Sequence, residues 1–453
     1  MKIVATADWH IHEFQEFSKS IPVIWDSHKM RFVESSTGRL MNSRLMNTLE
    51  GICDIRDYCI SNKIKYVLNA GDVFHKRGTI SVNAFNAAYK VISSFREVGI
   101  ELIIIAGNHD QVDASDNPAT SIYTFSNIAT IIESPTILSI SDGALRAPED
   151  IGRATPALTD KGGSAAQVQI LALPYSKNKN YLLSEFHRLM PQVENTKKSI
   201  LMLHLGIQGG AVGSGMTMVN EDYQLSEFSP EKWRYIILGH FHRPQLLAAN
   251  AFYTGTPVQN SFSDELPIEF YGGYNGFFLM NLDLSKDNLL TTDSTSTPLN
   301  TDKPLNTDSV STPLNTDNST DLSKYNPTDT PTNSVSTLLN PLTTDNPIKP
   351  RDRLDFIPIT RPRFRTVTNP SEITDKDYFR IQSSEETSIS ESNVRVEVQK
   401  DYSQPVRSKI TLGDSFEAGV AKYVEENCTL DNKDEVLKLG LDILMEAKEV
   451  MLE

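Results

Sequence analysis

Over roughly the first 283 residues, short apolar runs alternate with longer stretches in which apolar residues recur at helical spacing. Leu45, Leu49 and Ile52 set this spacing in a predicted helix over residues 42–61, and a second helix is predicted over 81–98. The short runs predict strands at Ile3–Ala7, Tyr66–Asn69, Glu101–Ala106, Val168–Leu173, Ser199–His204 and Tyr235–Leu238. Strands that alternate with helices predict a layered α/β fold.

The composition changes abruptly at about residue 284, where Thr, Asn, Asp, Ser and Pro become dominant up to residue 347. The hexad Thr297–Asp302 returns in similar form at Lys303–Asp308 and Thr312–Asp317. A short-period repeat is compatible with a solenoid. Each unit, however, offers a single leucine for burial, too little to offset the entropy of ordering the chain. We therefore predict a low-complexity disordered linker over 284–347.

Two further segments follow this linker. Residues 348–409 contain several short apolar runs and are predicted to be a small β-rich domain. Residues 410–453 are predicted to form two helices with a short loop between them. Their apolar positions are Phe416, Val420 and Tyr423 in the first helix and Leu437, Leu441, Leu444 and Met451 in the second. Such faces either pack on their own domain or bind a partner.

Charge and cysteine content narrow the possible functions of the 453-residue chain. There are 43 Lys and Arg residues against 58 Asp and Glu residues, a net charge of −15, so the chain is a poor DNA binder unless a local basic patch, metal ions or a partner assist. Its three cysteines are too few and scattered for a disulfide framework. Without a signal peptide or an apolar run of the ~18 residues that a membrane span needs, the expected location is the cytoplasm, or the host cytoplasm if the chain is viral.

Polar residues stand at the C-terminal ends of five predicted strands, where α/β sheets bind their ligands. They are Asp8 and His10, then Gly71-Asp72, then Gly107-Asn108-His109-Asp110, then His204, and finally His240 and His242. A lone histidine or a single Gly-Asp turn is ordinary, but five such strand ends in one chain are not. Imidazole, carboxylate and amide oxygen suit ions such as Mn²⁺, Fe²⁺ or Zn²⁺. Asp72 is the natural bridge between two ions, because its carboxylate offers two oxygens.

At these residues the sequence resembles the calcineurin-like metallophosphoesterase superfamily. Asp8-Trp9-His10 and Gly107-Asn108-His109-Asp110 look most similar to the SbcD-type double-strand-break repair nucleases, including their phage recombination-endonuclease relatives. The resemblance implies a β-sandwich flanked by helices over 1–283. It also implies that 348–409 is a cap domain that contacts DNA and that 410–453 is a helix–loop–helix that binds a partner.

The same resemblance implies roles for individual residues. One metal ion would be held by Asp8, His10, Asp72 and His242, and the second by Asp72, Asn108, His204 and His240. His109 would not be a ligand and would act on the scissile phosphate. Two divalent ions, expected to be Mn²⁺, would activate a hydroxide for in-line attack on a DNA phosphodiester. The implied activities are exonuclease on duplex ends and endonuclease on single strands.

The implied partners are DNA and an SbcC-type SMC-like ATPase, with the chain as a homodimer within a heterotetramer. The ATPase would have to be another polypeptide. Residues 210–217 nearly match a phosphate-binding loop, but Met216 stands where that loop requires lysine. We therefore predict that this chain does not bind ATP.

A basic cluster after the linker has two interpretations. In a strand, Arg361, Arg363 and Arg365 would project from one face and could contact phosphates. The same charges could instead protect a solvated edge strand from pairing.

Two rival functions remain open at the level of the whole chain. One is a stand-alone metallophosphoesterase that acts on phosphoproteins or cyclic nucleotides, against which the cap and the helical tail argue. The other is a scaffold that keeps the fold without chemistry, and such a protein should have lost metal ligands, whereas every expected ligand is present here.

Overall fold

The computed structural model describes residues 1–112, 119–141, 167–212, 223–282, 354–383, 392–398, 416–427, 433 and 435–441. The predicted linker over 284–347 lies outside these residues. By their internal contacts, the residues of the chain fall into two compact units. Unit 1 contains Met1–Val367, Ser371–Arg380 and Glu391–Val394, and unit 2 contains Thr368–Pro370, Ile381–Ser390 and Arg395–Glu453.

The described residues contain eighteen strands and four α-helices. The strands are β1 (Lys2–Thr6), β2 (Ser20–Asp26), β3 (Arg31–Glu34), β4 (Arg39–Asn42), β5 (Tyr66–Asn69), β6 (Glu101–Ile105), β7 (Thr130–Ile132), β8 (Thr136–Ser141), β9 (Gln167–Leu173), β10 (Ile200–His204), β11 (Tyr235–Gly239), β12 (Gln245–Ala248), β13 (Ala251–Tyr253), β14 (Gly276–Asn281), β15 (Leu354–Pro358), β16 (Phe364–Val367), β17 (Tyr378–Ser383) and β18 (Val394–Val398). The helices are α1 (Ser43–Ser61), α2 (Val82–Glu97), α3 (Lys179–Leu189) and α4 (Phe416–Asn427). No helix among them combines the length and the apolar character needed to cross a membrane.

Two six-stranded sheets form the centre of unit 1. The first has the order β15-β14-β1-β5-β6-β7, and the second has the order β12-β13-β11-β10-β9-β8. In the first, β1, β5, β6 and β7 are parallel and β14 and β15 are antiparallel to their neighbours. In the second, β9, β10, β11 and β13 are parallel. Each sheet therefore brings the C-terminal ends of several parallel strands to one edge.

The cores show how these sheets are layered. Ile3 and Ile103 of the first sheet share one buried cluster with Ile200 and Ile237 of the second, so the two sheets pack face to face. The alternate residues of the first sheet pack against α1 and α2, and those of the second pack against α3. Because strand side chains alternate between faces, each sheet is apolar on both sides. The predicted β-sandwich flanked by helices is confirmed.

The two predicted helices of the first half also form. The side chain of Asn42 accepts hydrogen bonds from the N–H groups of Arg44 and Leu45 and so starts α1, and Ser81 caps α2 in the same way. The sequence analysis assigned no element between β1 and α1. That stretch folds as a small antiparallel sheet in the order β3-β2-β4.

The chain returns to the first sheet after the predicted linker. β15 pairs antiparallel with β14, with Leu354 opposite Met280 and Phe356 opposite Phe278. Leu354 and Phe356 are buried in the core between the sheets. The predicted domain boundary at residue 348 is therefore wrong as a boundary between compact units, because the apolar side chains of β15 complete the sandwich and unit 1 continues to Val367.

Three shorter strands and a helical tail complete the described chain. β16, β17 and β18 form a three-stranded sheet. The strand that was predicted from Arg361 begins only at Phe364, because Pro362 has no N–H to donate to a ladder. In unit 2, residues 435–441 are helical, and Gly440 lies against the side chain of Val420 in α4.

Candidate metal centre

The polar residues singled out in the sequence meet at one edge of the sandwich. They are Asp8 and His10 after β1, Asp72 after β5, Asn108 and His109 after β6, His204 at the end of β10, and His240 and His242 after β11. Two hydrogen bonds join the sheets at this edge: a ring nitrogen of His204 lies 2.7 Å from the Ala70 carbonyl, and the His240 N–H donates to the Asp8 carboxylate over 3.0 Å. We call this group of residues the strand-end centre.

Strained backbone is concentrated in the strand-end centre. Asp8, His10, Asp72 and His240 have positive φ angles of +53°, +45°, +57° and +103°. Positive φ is uncommon for residues other than glycine and costs of order 1–3 kcal/mol in sparsely populated regions. The surrounding contacts must therefore hold these four residues in place. Such strain is typical of a functional site.

Asp110 is the main contact that holds two of the loops together. Its carboxylate is buried and accepts hydrogen bonds from the N–H groups of Asp72, Val73 and Gly107, at 2.8 to 2.9 Å. Close approach also requires glycine at position 107, because a Cβ there would collide with the Asp72 side chain. Asp110 was quoted in the sequence motif without a role, and the structure gives it one as the clasp between the loops after β5 and β6.

One group of possible metal ligands contains Asp8, His10 and His242, whose ligand atoms all lie within 4.8 Å of one another. The Nε2 atoms of His10 and His242 are 2.9 Å apart. Burial and the neighbouring His242 lower the pKa of His10 well below its usual value. The His10 ring is therefore neutral, and its lone pair is available to a cation.

A second group contains Asp8, Asp72 and His204, again within 4.8 Å. The Asn108 side-chain oxygen lies 3.0 Å from His204 Nε2 and 3.2 Å from His240 Nδ1, so the amide and both rings converge on the same place. Asp72 Oδ2 is 3.4 Å from His204 Nε2 and 3.6 Å from His10 Nε2. One carboxylate oxygen thus reaches a histidine of each group, the position that a bridging ligand would need.

The charges of the centre are strongly perturbed. Burial opposes ionisation of Asp72, but His204 and His10 more than offset it and hold the pKa of this carboxyl well below its usual value. Burial would lower the pKa of His204, but Asp72 raises it to about 9. For His242, burial acts in the same direction and Asp264 raises the pKa to about 9. A metal ion that binds either ring must displace a proton.

His109 lies beside the two groups that contain carboxylates. Its N–H donates to Asp72 Oδ1 over 2.8 Å, and its ring stands edge-on to His10 with 4.9 Å between centroids. Its Nδ1 lies within hydrogen-bond distance of the His75 carbonyl oxygen. Nδ1 is therefore occupied as a donor, and Nε2 is the nitrogen left for a substrate.

The sequence analysis missed His75. Its ring stacks on His109 at 5.6 Å between centroids, and His10, His75 and His109 form a third group of ring nitrogens within 4.8 Å. This group shares His10 with the first and contains no carboxylate. The available signal was the position of His75 three residues after Asp72, in the same strand-end loop.

Asp264 was missed as well. It is buried, and its Oδ1 accepts a hydrogen bond from His242 Nδ1 over 2.8 Å, which leaves His242 Nε2 pointing at His10. A carboxylate on the far nitrogen of a ligating histidine fixes its tautomer and orientation. Only the tertiary contact reveals this role, because 22 residues separate the two side chains.

The donor atoms of this centre fit divalent cations. Two buried carboxylates, an amide oxygen and several imidazoles converge, and two ring nitrogens face each other with no donor or acceptor between them. Hard and borderline ions take this mixture of oxygen and nitrogen ligands. The residues expected from the sequence are therefore the ones that the fold brings together, with His75 and Asp264 beside them.

The three arginines predicted to contact DNA lie in unit 1 and are paired with carboxylates. Arg361 contacts Glu50 and Asp54 of α1. Arg363 contacts Asp377 at 2.7 Å and the Gly272 carbonyl. Arg365 has the weakest pair, 3.7 Å from the exposed Glu372. Their role in DNA contact stays a prediction, and a phosphate would have to compete with these carboxylates.

The predicted partner-binding residues are described in part. In α4, Tyr423 is exposed and Val420 is half-buried, and in the helical residues 435–441 both Leu437 and Leu441 are half-buried. The backbone of Phe416 begins α4, and its side chain lies outside the described part of the chain. Leu444 and Met451 also lie outside the described residues.

A family model for the calcineurin-like phosphoesterases matches residues 1–244, more than half of this chain. Among curated proteins, the chain is similar to the SbcD component of the SbcCD nuclease of Rhodobacter capsulatus, with 22% identity over 294 residues, and to that of Bacillus subtilis, with 24% identity over 295 residues. These matches cover 58% of this chain and 64% and 63% of the two relatives.

The chain is also similar to the DNA double-strand break repair protein Mre11 of Methanocaldococcus jannaschii. The two are 23% identical over 181 residues, which cover 39% of this chain and 40% of that protein. The similarity therefore spans less than two thirds of the length of each of these three curated relatives.

Proposed function

This chain belongs to the calcineurin-like phosphoesterase family and is a metal-dependent phosphoesterase, and from that premise we propose that it is a DNA nuclease. Its substrate is the phosphodiester backbone, with exonuclease action on duplex ends and endonuclease action on single strands. The proposed metal is Mn²⁺, and the proposed setting is DNA recombination, repair or replication. The names of the curated relatives support this substrate class.

One observation carries the proposal. Asp72 Oδ2 lies 3.6 Å from His10 and 3.4 Å from His204, and Asp8 takes part in both carboxylate-containing groups. This arrangement suits two neighbouring cations better than one, because each group keeps its own histidine while the carboxylates are shared. Two cations side by side are the arrangement that in-line displacement at a phosphate uses.

The proposed ligand sets follow the strand ends. Asp8, His10, Asp72 and His242 hold one ion, and Asp72, Asn108, His204 and His240 hold the other. When bound, divalent ions neutralise charge on the phosphate and activate water for attack. Asp110 holds the Asp72 loop in its strained conformation, and Asp264 fixes the orientation of His242.

His109 is proposed as the residue that acts on the substrate. Its Nδ1 donates to the His75 carbonyl, so a proton on Nε2 is directed away from that contact and towards the leaving oxygen. Transfer of this proton would neutralise the charge that develops on the oxygen as the ester bond breaks.

The direct test uses the purified full-length chain with added Mn²⁺ on four substrates: linear duplex DNA, circular single-stranded DNA, a cyclic nucleotide and a phosphorylated peptide. We expect both DNA substrates to be cleaved, with loss of the activity on chelation and in the Asp72→Asn variant. Cleavage of only the cyclic nucleotide or the peptide would replace this proposal by a stand-alone metallophosphoesterase.

The proposed partner is an SbcC-type SMC-like ATPase, with the chain as a homodimer in a heterotetramer. The docking face would include Phe416, Val420, Tyr423, Leu437, Leu441, Leu444 and Met451. Truncation after Ser408 removes all of these residues and none of the strand-end centre, so Mn²⁺-dependent cleavage of single strands should survive. Co-purification with the ATPase should be lost, and undiminished co-purification would exclude this docking face.

A further inference from the structure

Arg44 is a buried cation that the proposed chemistry does not use. It lies in the first turn of α1 and is 3% exposed. Both settings are unfavourable for a positive charge, since burial removes its hydration and the N-terminal end of a helix carries partial positive charge. The contacts of its guanidinium group therefore have to offset these terms.

These contacts come from three separate segments. Arg44 donates to the carbonyl of Glu16 at 3.0 Å and to the carbonyl of Asn260 at 2.6 Å. Its guanidinium carbon also lies over three aromatic rings, 4.8 Å from the centroid of Phe14, 4.8 Å from that of Phe364 and 5.1 Å from that of Tyr378. Arginine suits this position, because its planar group stacks on rings and directs its donors in fixed directions.

One path of contacts leads from Arg44 to His109. The ring of Phe14, which Arg44 covers, lies 4.9 Å from the ring of His75. His75 in turn stacks on His109, and its carbonyl oxygen accepts from His109 Nδ1. A displacement of Phe14 would therefore release the residue that orients His109.

A second path leads from Arg44 to His242. The peptide group of Asn260 that Arg44 holds by its carbonyl also presents an N–H in this turn, and the Asn260 N–H donates to Asp264 Oδ2 over 2.8 Å. The other oxygen of Asp264 accepts from His242 Nδ1. One arginine thus supports a predicted catalytic histidine on one side and a predicted metal ligand on the other.

We propose that Arg44 is a positioning residue that fixes His109 and His242 together in their working orientations. The part that concerns turnover rests on the proposed function, whereas the part that concerns His242 rests on metal binding alone. Arg44 touches neither histidine, so it acts through Phe14 and His75 on one side and through Asn260 and Asp264 on the other.

Arg56 offers a matched control on the same helix. It is 1% exposed and donates to Ser94 Oγ over 2.7 Å and to Asp57 Oδ1. Its contacts in the described residues do not include the strand-end centre. Arg44→Ala and Arg56→Ala should both lower the melting temperature, but only Arg44→Ala should disturb the centre.

The test compares the two full-length variants with Mn²⁺ and bis(p-nitrophenyl) phosphate. For Arg44→Ala we expect kcat to fall about 100-fold with little change in KM, since misplacement of reacting groups by about 1 Å has an effect of this size. Mn²⁺ affinity, measured by calorimetry, should fall about 10- to 100-fold, because His242 loses its oriented support. Arg56→Ala should keep both values within about twofold of the unaltered chain, a difference of roughly 0.4 kcal/mol.

Rescue separates positioning from a general loss of structure. Millimolar guanidinium ion should raise the kcat of Arg44→Ala and should leave that of Arg56→Ala unchanged. If Arg44→Ala does not fold, Arg44→Lys replaces it, since lysine keeps the charge without the planar group and should show a smaller loss of the same kind.

Equal kcat and equal Mn²⁺ affinity in the Arg44 and Arg56 variants would overturn the proposal. If the unaltered chain does not hydrolyse the phosphodiester at all, the proposed function fails, and the Mn²⁺ affinities of the two variants still decide whether Arg44 positions His242.

Discussion

In the strand-end centre, buried carboxylates and imidazoles face one another across gaps of 2.9 to 3.6 Å, whereas each of the three arginines that follow β15 already has a carboxylate partner. Both regions belong to unit 1 and both concentrate charged side chains. The centre gathers more ligand atoms than its own protons can satisfy, and four of its residues keep strained backbone to do so. The arginines are neutralised within the fold.

This difference separates two kinds of charged cluster that look alike in a sequence. A cluster that is strained and short of counter-charges favours an external cation, since a buried charge without a partner is unfavourable. A cluster whose members are paired contributes mainly to the fold and has less to offer a ligand. The predictions below test this comparison, from the largest expected effect to the smallest.

Asp72→Asn should remove nearly all phosphodiesterase activity and leave the fold intact. Asparagine tolerates the φ of +57° at this position, but its amide cannot replace a charged oxygen shared between two ions. Activity on bis(p-nitrophenyl) phosphate, bound manganese and the melting curve check this prediction. Retention of more than about a tenth of the activity, a barrier change of only about 1.4 kcal/mol, would contradict a shared carboxylate.

His109→Ser should keep two bound ions while turnover falls by about 10²- to 10⁴-fold, the range for loss of an acid or base group. The reason is that His109 lies beside the carboxylate-containing groups and belongs to neither. Metal analysis and kinetics on the same preparation provide the measurement. Loss of one ion would instead show that His10, His75 and His109 hold a metal together.

Manganese binding should strengthen as the pH rises towards about 9. The pKa values of His204 and His242 are raised from 6.5 to about 9, because their carboxylate partners outweigh burial, so both rings are protonated at pH 7 without metal. Each must lose its proton to bind an ion, and each such proton can change the affinity up to about tenfold per pH unit. Calorimetry at pH 7 in two buffers of different ionisation enthalpy should detect the released protons, and identical heats in both would contradict this assignment.

The arginines should show the smallest effects, and these should differ among the three. Arg361→Ala should lower stability by roughly 1 kcal/mol through the loss of its pairs with Glu50 and Asp54, with DNA affinity unchanged. Arg365→Ala should weaken DNA binding and reduce its salt dependence by about one ion, because its own pair is the longest of the three.

Fluorescence anisotropy with labelled duplex DNA at several salt concentrations separates these outcomes. A salt dependence reduced equally by Arg361→Ala and Arg365→Ala would mean that ion pairs within the fold do not withhold these side chains from DNA, and the comparison between the two regions would fail.

The sequence predicted the strand-end centre well because its signal is local. Asp72, Asn108 and His204 each follow or end a short apolar run, and parallel strands bring such ends together without further information. His75 and Asp264 escaped because their roles depend on contacts with side chains elsewhere in the chain. No pattern of spacing contains those contacts.

The predictions after the linker were less accurate for a related reason. The short apolar run of β15 looks the same whether it begins a new domain or completes an old one, and only the burial of Leu354 and Phe356 between the sheets distinguishes the two. The expected strand from Arg361 ignored Pro362, which lacks the N–H that a ladder requires. Local periodicity identifies a strand but not its neighbours in the sheet.

The pairing of β14 with β15 has a practical consequence for handling this protein. Residues 283–353 leave and re-enter the same sheet at adjacent antiparallel strands, with Met280 opposite Leu354, so topologically they are a hairpin connection of unusual length. A closed hairpin does not depend on the identity of its loop. The chain should therefore accept a break in this connection and be expressed as two polypeptides that reassemble, with β15 as the strand that one fragment returns to the other.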